Sequence, residues 1–424
     1  QAGVGYFQLL AALCTGLSLA ADTVEFFVVP YILPSAEVEL CIEDNEKGWL
    51  SLGNITLMGL ALGGLFWGGL GDRIGRRRSL LSAMAVHALF SGVATFMPTY
   101  GTFMCARFCS AIGVGGSLPL AFTYLAECCP RLSRSRWVGL LVAAGALGGV
   151  YAALLAWVVV PTTGEIAWHR FLLLCCLPAL CSTIGLIFLP ESPRYLVEVG
   201  RDVEAMMVYQ VFFIKLELPT KRPRGLAPPS PSNHTKLFVS PHLRVTVVLI
   251  IIWSTVSFGY GLMVWCPDII VHSKYAFKMT IFDVFLNLSF VPAAALAGLA
   301  LTVFQRPKMI GISLFFSSIA ALCLILVGTN SSAVLGFEGG FIAVFAIAWT
   351  SLTLVTIESF PTHLRCTGFG FIAGVIRICG LIGTTTYKTL VSAPLIAPAL
   401  LTALPLLVAS VATFKLPHTH TVFL

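Results

Sequence analysis

Apolar runs of roughly 20 residues recur along this chain from one end to the other, the length at which a helix crosses the hydrocarbon core of a bilayer. Of the 424 residues, 57% are hydrophobic and 11% are charged, whereas soluble domains carry roughly a quarter charged residues. The sequence therefore predicts an all-α membrane protein whose solvent is the lipid bilayer. The twelve predicted spans are 6–31, 48–70, 79–98, 101–126, 136–160, 168–189, 243–265, 280–304, 309–328, 333–356, 367–390 and 393–414.

Lysine and arginine in the connections predict orientation, because they are enriched on the cytoplasmic side. Of 26 such residues, 19 fall on the side of the 2–3, 4–5, 6–7, 8–9 and 10–11 connections and the C-terminus, and five fall on the opposite side. The remaining two, Arg107 and Arg377, lie inside spans. We therefore expect both termini in the cytoplasm, on a chain that begins at Gln1 as a piece of a longer protein. The net charge of +7 follows from this asymmetry, and it suits anionic lipid rather than nucleic acid.

A repeated pattern divides the chain into two halves. Glu-x-x-Pro-x-x-x-Arg occurs from Glu127 to Arg134 and again from Glu358 to Arg365, 231 residues apart and after the fourth span of each set of six. A proline-rich and basic stretch separates the two sets. We therefore predict a six-helix bundle over 1–189, a cytoplasmic linker over 190–242 and a second bundle over 243–424. Parallel duplication of this kind is a transporter arrangement in which substrate binds near mid-membrane, between the halves.

The connection between spans 2 and 3 places one acid and four bases within a few residues, from Gly68 to Arg78. Glycines allow helix ends to approach closely, and Asp72 can bond a neighbouring helix end or an arginine. Such a clamp could hold one conformation closed on the cytoplasmic side. The alternative is a generic anchor that obeys the orientation rule, but the ordered Gly-Asp-Arg-Gly-Arg pattern exceeds what orientation requires.

In this connection the sequence resembles the major facilitator superfamily, which implies twelve transmembrane helices in two six-helix pseudo-repeats. The residues that fit its hallmark are Gly68, Leu70, Asp72, Arg73, Gly75, Arg76 and Arg77. Within the superfamily the chain is similar to the synaptic vesicle glycoprotein 2 family through 21–29, 33–37, 148–153 and 264–268. The resemblance implies a cytoplasmic latch that also uses the repeated pattern, at Glu127, Arg134, Glu358 and Arg365.

Two departures from that family limit what the resemblance implies. The family carries a large luminal domain between spans 7 and 8, but only about 266–279 is available here. In the 8–9 connection, the family's weaker copy of the clamp is reduced to Gln305-Arg306-Pro307-Lys308, without its acid. The sequence therefore predicts that the intact latch and the paired acids belong to the first half.

The paired acids are Asp22 and Glu25, three residues apart near the middle of the first span, a spacing that predicts a shared helical face. Carboxylates inside a membrane are costly and are functional candidates by default. Their burial and mutual repulsion would suit a proton-coupling site. The alternative is a buried ion pair with Arg107 or Arg377, and both interpretations hold if transport works by breaking such a pair.

Four aromatic residues correspond to positions that line the central cavity in the resembled family: Trp157, Tyr260, Trp265 and Trp349. Stacking on them would suit a sugar-like or heterocyclic ligand. Trp157 and Trp265 lie near predicted outer helix ends, where an aromatic belt is expected in any case. Trp349, well inside span 10, is the strongest candidate.

No motif in the sequence indicates that the protein catalyses the formation or cleavage of a covalent bond. We find no nucleophile, metal cluster or phosphate loop placed for catalysis, so we expect no enzyme activity, no metal and no cofactor. The first hypothesis is an alternating-access transporter of a small polar solute. The second is a transporter-shaped vesicle protein that acts in trafficking through protein partners on its cytoplasmic loops and does not transport.

Overall fold

The structure is a computed structural model that describes residues 6–40, 51–131, 133–159, 167–212, 237–238, 242–263, 276–327, 331–390 and 396–416. Within these described residues no residue lies in a β-strand, and every predicted span coincides with a helix or a pair of helices. The helices up to the linker are α1 Tyr6–Glu39, α2 Leu52–Ile74, α3 Arg76–Ala94, α4 Tyr100–Gly115, α5 Ser117–Cys128, α6 Arg134–Val159, α7 Ala167–Cys175, α8 Leu177–Phe188, α9 Pro193–Glu198 and α10 Asp202–Phe212.

After the linker the order repeats with long helices. They are α11 Leu243–Met263, α12 Ala276–Ala300, α13 Arg306–Val327, α14 Ser331–Ser359, α15 Arg365–Leu390 and α16 Ile396–Ala412, with single 3-10 turns at Thr362–Leu364 and Thr413–Lys415. Ten helical segments of the described residues are long and apolar enough to cross a membrane. The helices α3 and α12 occupy the two remaining predicted spans.

Four helices begin at an arginine, two or three residues before the predicted span. They start at Arg76, Arg134, Arg306 and Arg365. In the sequence all four lie in connections between predicted spans, but the side chains of Arg76, Arg134 and Arg365 are only 1–3% exposed. Nearby carboxylates compensate the charge of the buried guanidinium groups, so each helix can begin at its arginine, before the predicted span.

Proline accounts for the division of the sixth span into α7 and α8. Pro178 has no N–H with which to bond the carbonyl of Leu174. The hydroxyl of Tyr151 on α6 donates to that carbonyl instead, at 2.9 Å. The break in one helix thus becomes a contact with its neighbour.

The halves meet through two close helix crossings, α2 with α15 and α6 with α12. A Cβ on Gly370 would lie 2.5 Å from the carbonyl oxygen of Gly64 and 2.8 Å from the Cα of Gly68. In the second crossing, a Cβ on Gly139 would lie 2.6 Å from the Cα of Gly298. Backbone therefore packs directly on backbone, which only small residues allow.

Both crossings lie toward one end of the bundle, which also holds the turn at Gly75. We call it the Gly75 end, and the opposite one the far end. Gly75 links α2 to α3 with a φ of 111°, a conformation that favours glycine. Glu191 then accepts from the backbone N–H of Arg77 at 2.8 Å and so caps the start of α3.

Candidate functional site

A cavity of about 170 Å³ lies between the two halves. Its walls come from α1, α2, α5 and α6 of the first half and from α11, α12, α14 and α15 of the second. Aromatic rings dominate them: Phe26, Phe27, Phe122, Tyr260, Phe290, Phe345 and Trp349. The polar groups are few, namely Asp22, Thr23, Ser257, Asn287, Arg377 and Thr384.

The aromatic wall of the second half is a fixed stack. Tyr260 lies parallel to Phe345 at 4.9 Å between ring centroids, and Trp349 meets the edge of Trp253 at 4.8 Å. The indole N–H of Trp253 donates to the hydroxyl of Thr356 at 2.9 Å, deep in the core. Trp349 therefore presents a preorganised ring to the cavity, and Tyr260 lines it beside Trp349.

The other two predicted aromatic residues lie elsewhere. Trp157 is 43% exposed on α6 and does not line this cavity, which corrects its assignment as a cavity residue. It belongs to the exposed surface near the far end, as an interfacial aromatic ring would. Trp265 lies outside the described residues.

One ion pair crosses the cavity from half to half. Asp22 on α1 accepts from the guanidinium of Arg377 on α15, and both residues line the cavity. Asp22 is 6% exposed, and its Oδ1 has no hydrogen-bond partner among the described residues. Its charge compensation therefore depends on a cation that belongs to the other half.

A second ion pair stays inside the first half. Glu25 Oε1 lies 2.9 Å from Arg107 Nη2, and both side chains are at most 2% exposed. Residues three apart on a helix differ by roughly 60° in direction, so Asp22 points toward α15 and Glu25 toward α4. The two acids thus serve different interfaces, and Arg107 binds a carboxylate rather than helix carbonyls.

Sequence reasoning missed two buried titratable residues near this site. His87 on α3 is 2% exposed, and Glu338 on α14 is 1% exposed. His87 interacts electrostatically with Asp22 and Arg107, and Glu338 does so with Tyr260. Each of the two is a lone ionisable residue inside an apolar run, and this pattern is the sequence signal that could have identified it.

At the Gly75 end, Asp72 reaches from α2 to the start of α15. Its carboxylate accepts from the backbone N–H groups of Cys366 at 3.3 Å and Thr367 at 2.7 Å. An acid at a helix N-terminus is favoured by the helix dipole. Arg76 lies 3.2 Å from the same carboxylate, and its guanidinium lies 4.7 Å from the ring centroid of Tyr195.

The two copies of the repeated pattern exchange partners across the halves. Arg365 Nη1 lies 2.9 Å from Glu127 Oε1, and Arg134 Nη1 lies 3.4 Å from Glu358 Oε1. Each arginine also donates through Nε to a carbonyl eight residues earlier. Arg134 donates to Ala126 and Arg365 donates to Ile357, at 3.1 Å in both cases. The pseudo-repeat is therefore expressed in identical local geometry.

Each glutamate has a second arginine from its own half. Arg76 Nε lies 3.2 Å from Glu127 Oε2, and Arg306 pairs with Glu358. Arg76 and Arg306 are the first residues of α3 and α13. The second half thus contributes more than the sequence suggested, because Arg306 supplies the cation although the acid of the 8–9 connection is missing. We call these four arginines and two glutamates the exchange network.

The remaining residues of the 2–3 connection act locally. Arg77 donates to the carbonyls of Leu186 at 2.8 Å and Ile187 at 2.6 Å and so caps the end of α8. The side chain of Arg73 is exposed, but its carbonyl accepts from the hydroxyl of Tyr195 at 2.9 Å. Burial lowers the pKa of Arg194 beside the network, and Arg365 lowers it further.

The sugar (and other) transporter family matches residues 35–424. The chain belongs to this family of the major facilitator superfamily. Synaptic vesicle glycoprotein 2C of Mus musculus is 28% identical over 99% of this chain and 80% of its own length. Synaptic vesicle glycoprotein 2A of Rattus norvegicus is 33% identical over 66% of this chain and 44% of its own length. The predicted family is confirmed.

Solved structures of the proton:xylose symporter XylE share the architecture. The form bound to 6-bromo-6-deoxy-D-glucose has a TM-score of 0.84 at 16% identity, covering 97% of this chain and 96% of that one. The partially occluded inward open conformation has a TM-score of 0.75 at 15% identity, covering 99% of this chain and 100% of that one. This likeness confirms the predicted major facilitator fold. Together with the long apolar helices, it shows that the chain is an integral membrane protein.

Proposed function

We propose that the protein is an alternating-access secondary transporter of a small polar solute, sugar-like or an organic ion. Residues 1–189 and 243–424 would rock about the central cavity, with 190–242 as the linker. The observation that carries this proposal is the ion pair between Asp22 and Arg377, which joins the halves at the cavity wall. In transporters built from two repeats, the solute binds near mid-membrane at the interface between the repeats, and the repeats move against each other around that site.

Proton coupling follows from the same pair. Parting the halves removes Arg377 from Asp22, and a buried carboxylate without a cation takes up a proton or finds another partner. Glu25 keeps Arg107 within the first half, so its charge is retained while that of Asp22 changes. The first half therefore carries the coupling.

The exchange network would be the cytoplasmic latch. Its cross-half contacts and the glycine crossings at the same end support closure there. Each broken contact leaves a nearly buried charge that water must reach. Solvation by the aqueous cavity in the opposite state would compensate that cost.

The setting that we propose is a synaptic or secretory vesicle membrane or the plasma membrane, with both termini in the cytoplasm. Lipid and the transported solute would be the binding partners, and any protein partners would bind the cytoplasmic loops. The family is one of transporters, and we propose no enzyme activity, no cofactor and no nucleic acid.

Reconstitution into liposomes tests this proposal. We expect flux of at least one solute from a panel of sugars and organic ions, dependent on a pH gradient and abolished by Asp22→Asn. Trp157→Phe is the matched control, because its ring lies outside the cavity. A panel without gradient-dependent flux, in protein that keeps its thermal stability, would contradict the proposal.

The names of the relatives favour a second candidate, a non-transporting synaptic vesicle protein that acts in vesicle trafficking or exocytosis. Asp22→Asn and deletion of 213–236 in the linker separate the two candidates in cells. A phenotype that survives the substitution and is lost on the deletion would support the vesicle role. The reverse result would support transport.

A further inference from the structure

The two glycine crossings at the Gly75 end are built alike. A Cβ on Gly68 of α2 would lie 2.6 Å from the carbonyl oxygen of Cys366, the second residue of α15. A Cβ on Gly298 of α12 would lie 2.8 Å from the carbonyl oxygen of Ser135, the second residue of α6. The start of α6 is therefore the structural equivalent of the start of α15, and the two glycines occupy equivalent positions.

The crossing at α6 lacks an acid that the crossing at α15 has. Asp72, four residues after the glycine of α2, accepts from two backbone N–H groups at the start of α15, at 2.7 and 3.3 Å. Thr302 stands four residues after the glycine of α12, and its hydroxyl donates to the carbonyl of Leu299 at 2.7 Å. The equivalent N–H groups at the start of α6 are those of Ser135 and Arg136. Among the described residues no side chain accepts from them, although the helix dipole favours a negative charge there.

The arginines at the start of α6 also have less negative charge nearby. Arg134 and Arg306 both contact Glu358, so two cations share this carboxylate. The two equivalent arginines of the other copy share Glu127 and have Asp72 in addition, at 3.2 Å. The α6 side of the exchange network is thus the place where a further anion would balance the charge.

Arg134 has a guanidinium nitrogen without an acceptor at this place. Its side chain is 3% exposed, its Nε donates to the carbonyl of Ala126, and its Nη1 lies 3.4 Å from Glu358 Oε1. Its Nη2 is buried and has no hydrogen-bond partner among the described residues. A buried donor without an acceptor is costly. Because Arg134 is the first residue of α6, this donor belongs to the same helix end as the two N–H groups.

We infer that the start of α6 binds a phosphate group, which takes the position of the missing carboxylate. Its oxygens accept from the backbone N–H groups of Ser135 and Arg136, as phosphates do at helix N-termini. Nη2 of Arg134 supplies a third donor, and a guanidinium bonds phosphate strongly. Arg306 lies beside the phosphate as Arg76 lies beside Asp72.

The surroundings of this site include exposed apolar side chains. Val303 and Phe304, which follow α12 at the same end, are 80% and 62% exposed, as side chains in contact with lipid are. The phosphate therefore comes from the headgroup of an anionic lipid, which the cytoplasmic leaflet supplies, or from a soluble phosphate. Both sources present the same oxygens to the site.

Melting curves of the full chain in nanodiscs test the inference and separate the two sources. Inorganic phosphate is added to nanodiscs of phosphatidylcholine, with sodium chloride of equal ionic strength as the reference. In a second series, phosphatidic acid replaces part of the phosphatidylcholine. We expect a higher melting temperature with at least one of the two probes, because a ligand of the folded state stabilises it. A rise with phosphatidic acid alone identifies a lipid headgroup, and a rise with inorganic phosphate shows that soluble phosphate binds. No rise with either probe would overturn the inference.

Thr302→Asp is the decisive variant, because it restores the missing carboxylate at an exposed position. We expect the apparent affinity for the active probe to fall at least tenfold. Thr302→Asn loses the same hydroxyl contact without adding a charge and should keep the response. Arg78→Gln changes the net charge by the same amount at another exposed position of the Gly75 end and should also keep it.

Equal responses of the wild type and Thr302→Asp would overturn the inference, because the anion would then bind elsewhere on the basic surface. An equal loss in Arg78→Gln would overturn it too, because net charge alone would then explain the response. No transported solute enters these measurements, so their outcome is independent of the proposed transport.

Discussion

The Gly75 end and the central cavity are built in opposite ways from the same duplication. At the Gly75 end, Glu127 and Glu358 each bind one arginine of their own half and one of the other half. At the cavity, Asp22 and Arg377 form a pair that has no counterpart with the roles of the halves exchanged among the described residues. The duplicated residues thus join the halves at the Gly75 end, and the divergent residues line the central cavity.

This difference teaches where each kind of function resides. A symmetric contact is suited to a rocking motion, because both halves lose and regain equivalent interactions. An asymmetric cavity is suited to the recognition of a solute and to the binding of a proton, because neither task requires equivalent residues from the two halves. The following variants test this division, from the largest expected effect to the smallest.

Removing one glutamate of the exchange network should have the largest effect. Glu127→Gln leaves Arg365 almost buried without its carboxylate, although Arg76 keeps Asp72 at 3.2 Å. Removing one partner of a buried ion pair costs about 3–5 kcal/mol. We expect the closed Gly75 end to open, measured as a longer spin-label distance across it. Glu358→Gln should do nearly the same, because Arg134 then loses its carboxylate as Arg365 does in Glu127→Gln. A large effect of only one substitution would break the symmetry.

A methyl group at the glycine crossing should have the next largest effect. The Cβ of Gly370→Ala would meet backbone atoms of α2 at 2.5 and 2.8 Å, so the helices must separate at a cost of about 1–3 kcal/mol. The readout is again the distance across the Gly75 end. Gly69→Ala on α2 is the matched control, since its Cβ would meet nothing within 4 Å. Equal effects of both would contradict close packing as the cause.

Truncation at the cavity should alter ligand binding without opening the Gly75 end. Trp349→Ala removes the ring held by Trp253, and loss of an aromatic contact of about 1.4 kcal/mol corresponds to roughly tenfold weaker binding. A thermal-shift screen of sugars and heterocyclic ions on purified protein measures this change. Trp157→Ala should leave the same shifts unchanged. Unaltered shifts in Trp349→Ala would place the ligand elsewhere.

The smallest expected effect concerns pH at the Gly75 end. Burial raises the pKa of Tyr195, with Glu191 adding to the shift. The folded protein therefore holds this proton more tightly than the unfolded chain, and the stability from the group is complete below a pH of about 10 and lost as the pH rises through the raised pKa. Tyr195→Phe should lower stability by about 1 kcal/mol at neutral pH and flatten this alkaline loss. Melting curves with an alkaline slope identical to that of the wild type would contradict it.

Sequence patterns predicted the spans and the family, and local signals singled out five of the six residues of the exchange network, all except Arg306. Apolar length predicted the helices, and the repeated pattern identified Glu127 and Glu358 as equivalent. Patterns did not predict which arginine each glutamate binds, because the exchange depends on how two distant helices cross. The same limit applied to Asp22 and Glu25, whose spacing suggested a shared face although each meets a different helix. Arg306 was undervalued because the acid of its motif is missing, whereas its position at the start of α13 is what matters.

Spin-label distances at both ends test the central claim, that the exchange network holds the Gly75 end closed while the halves rock about the cavity. Labels at Arg78 and Lys308 span the Gly75 end, and labels at Thr99 and Ile396 span the far end, all at exposed positions. In the double variant Glu127→Gln and Glu358→Gln, we predict a longer distance at the Gly75 end and a shorter one at the far end. Distances that change in the same direction at both ends, or at neither, would contradict the account.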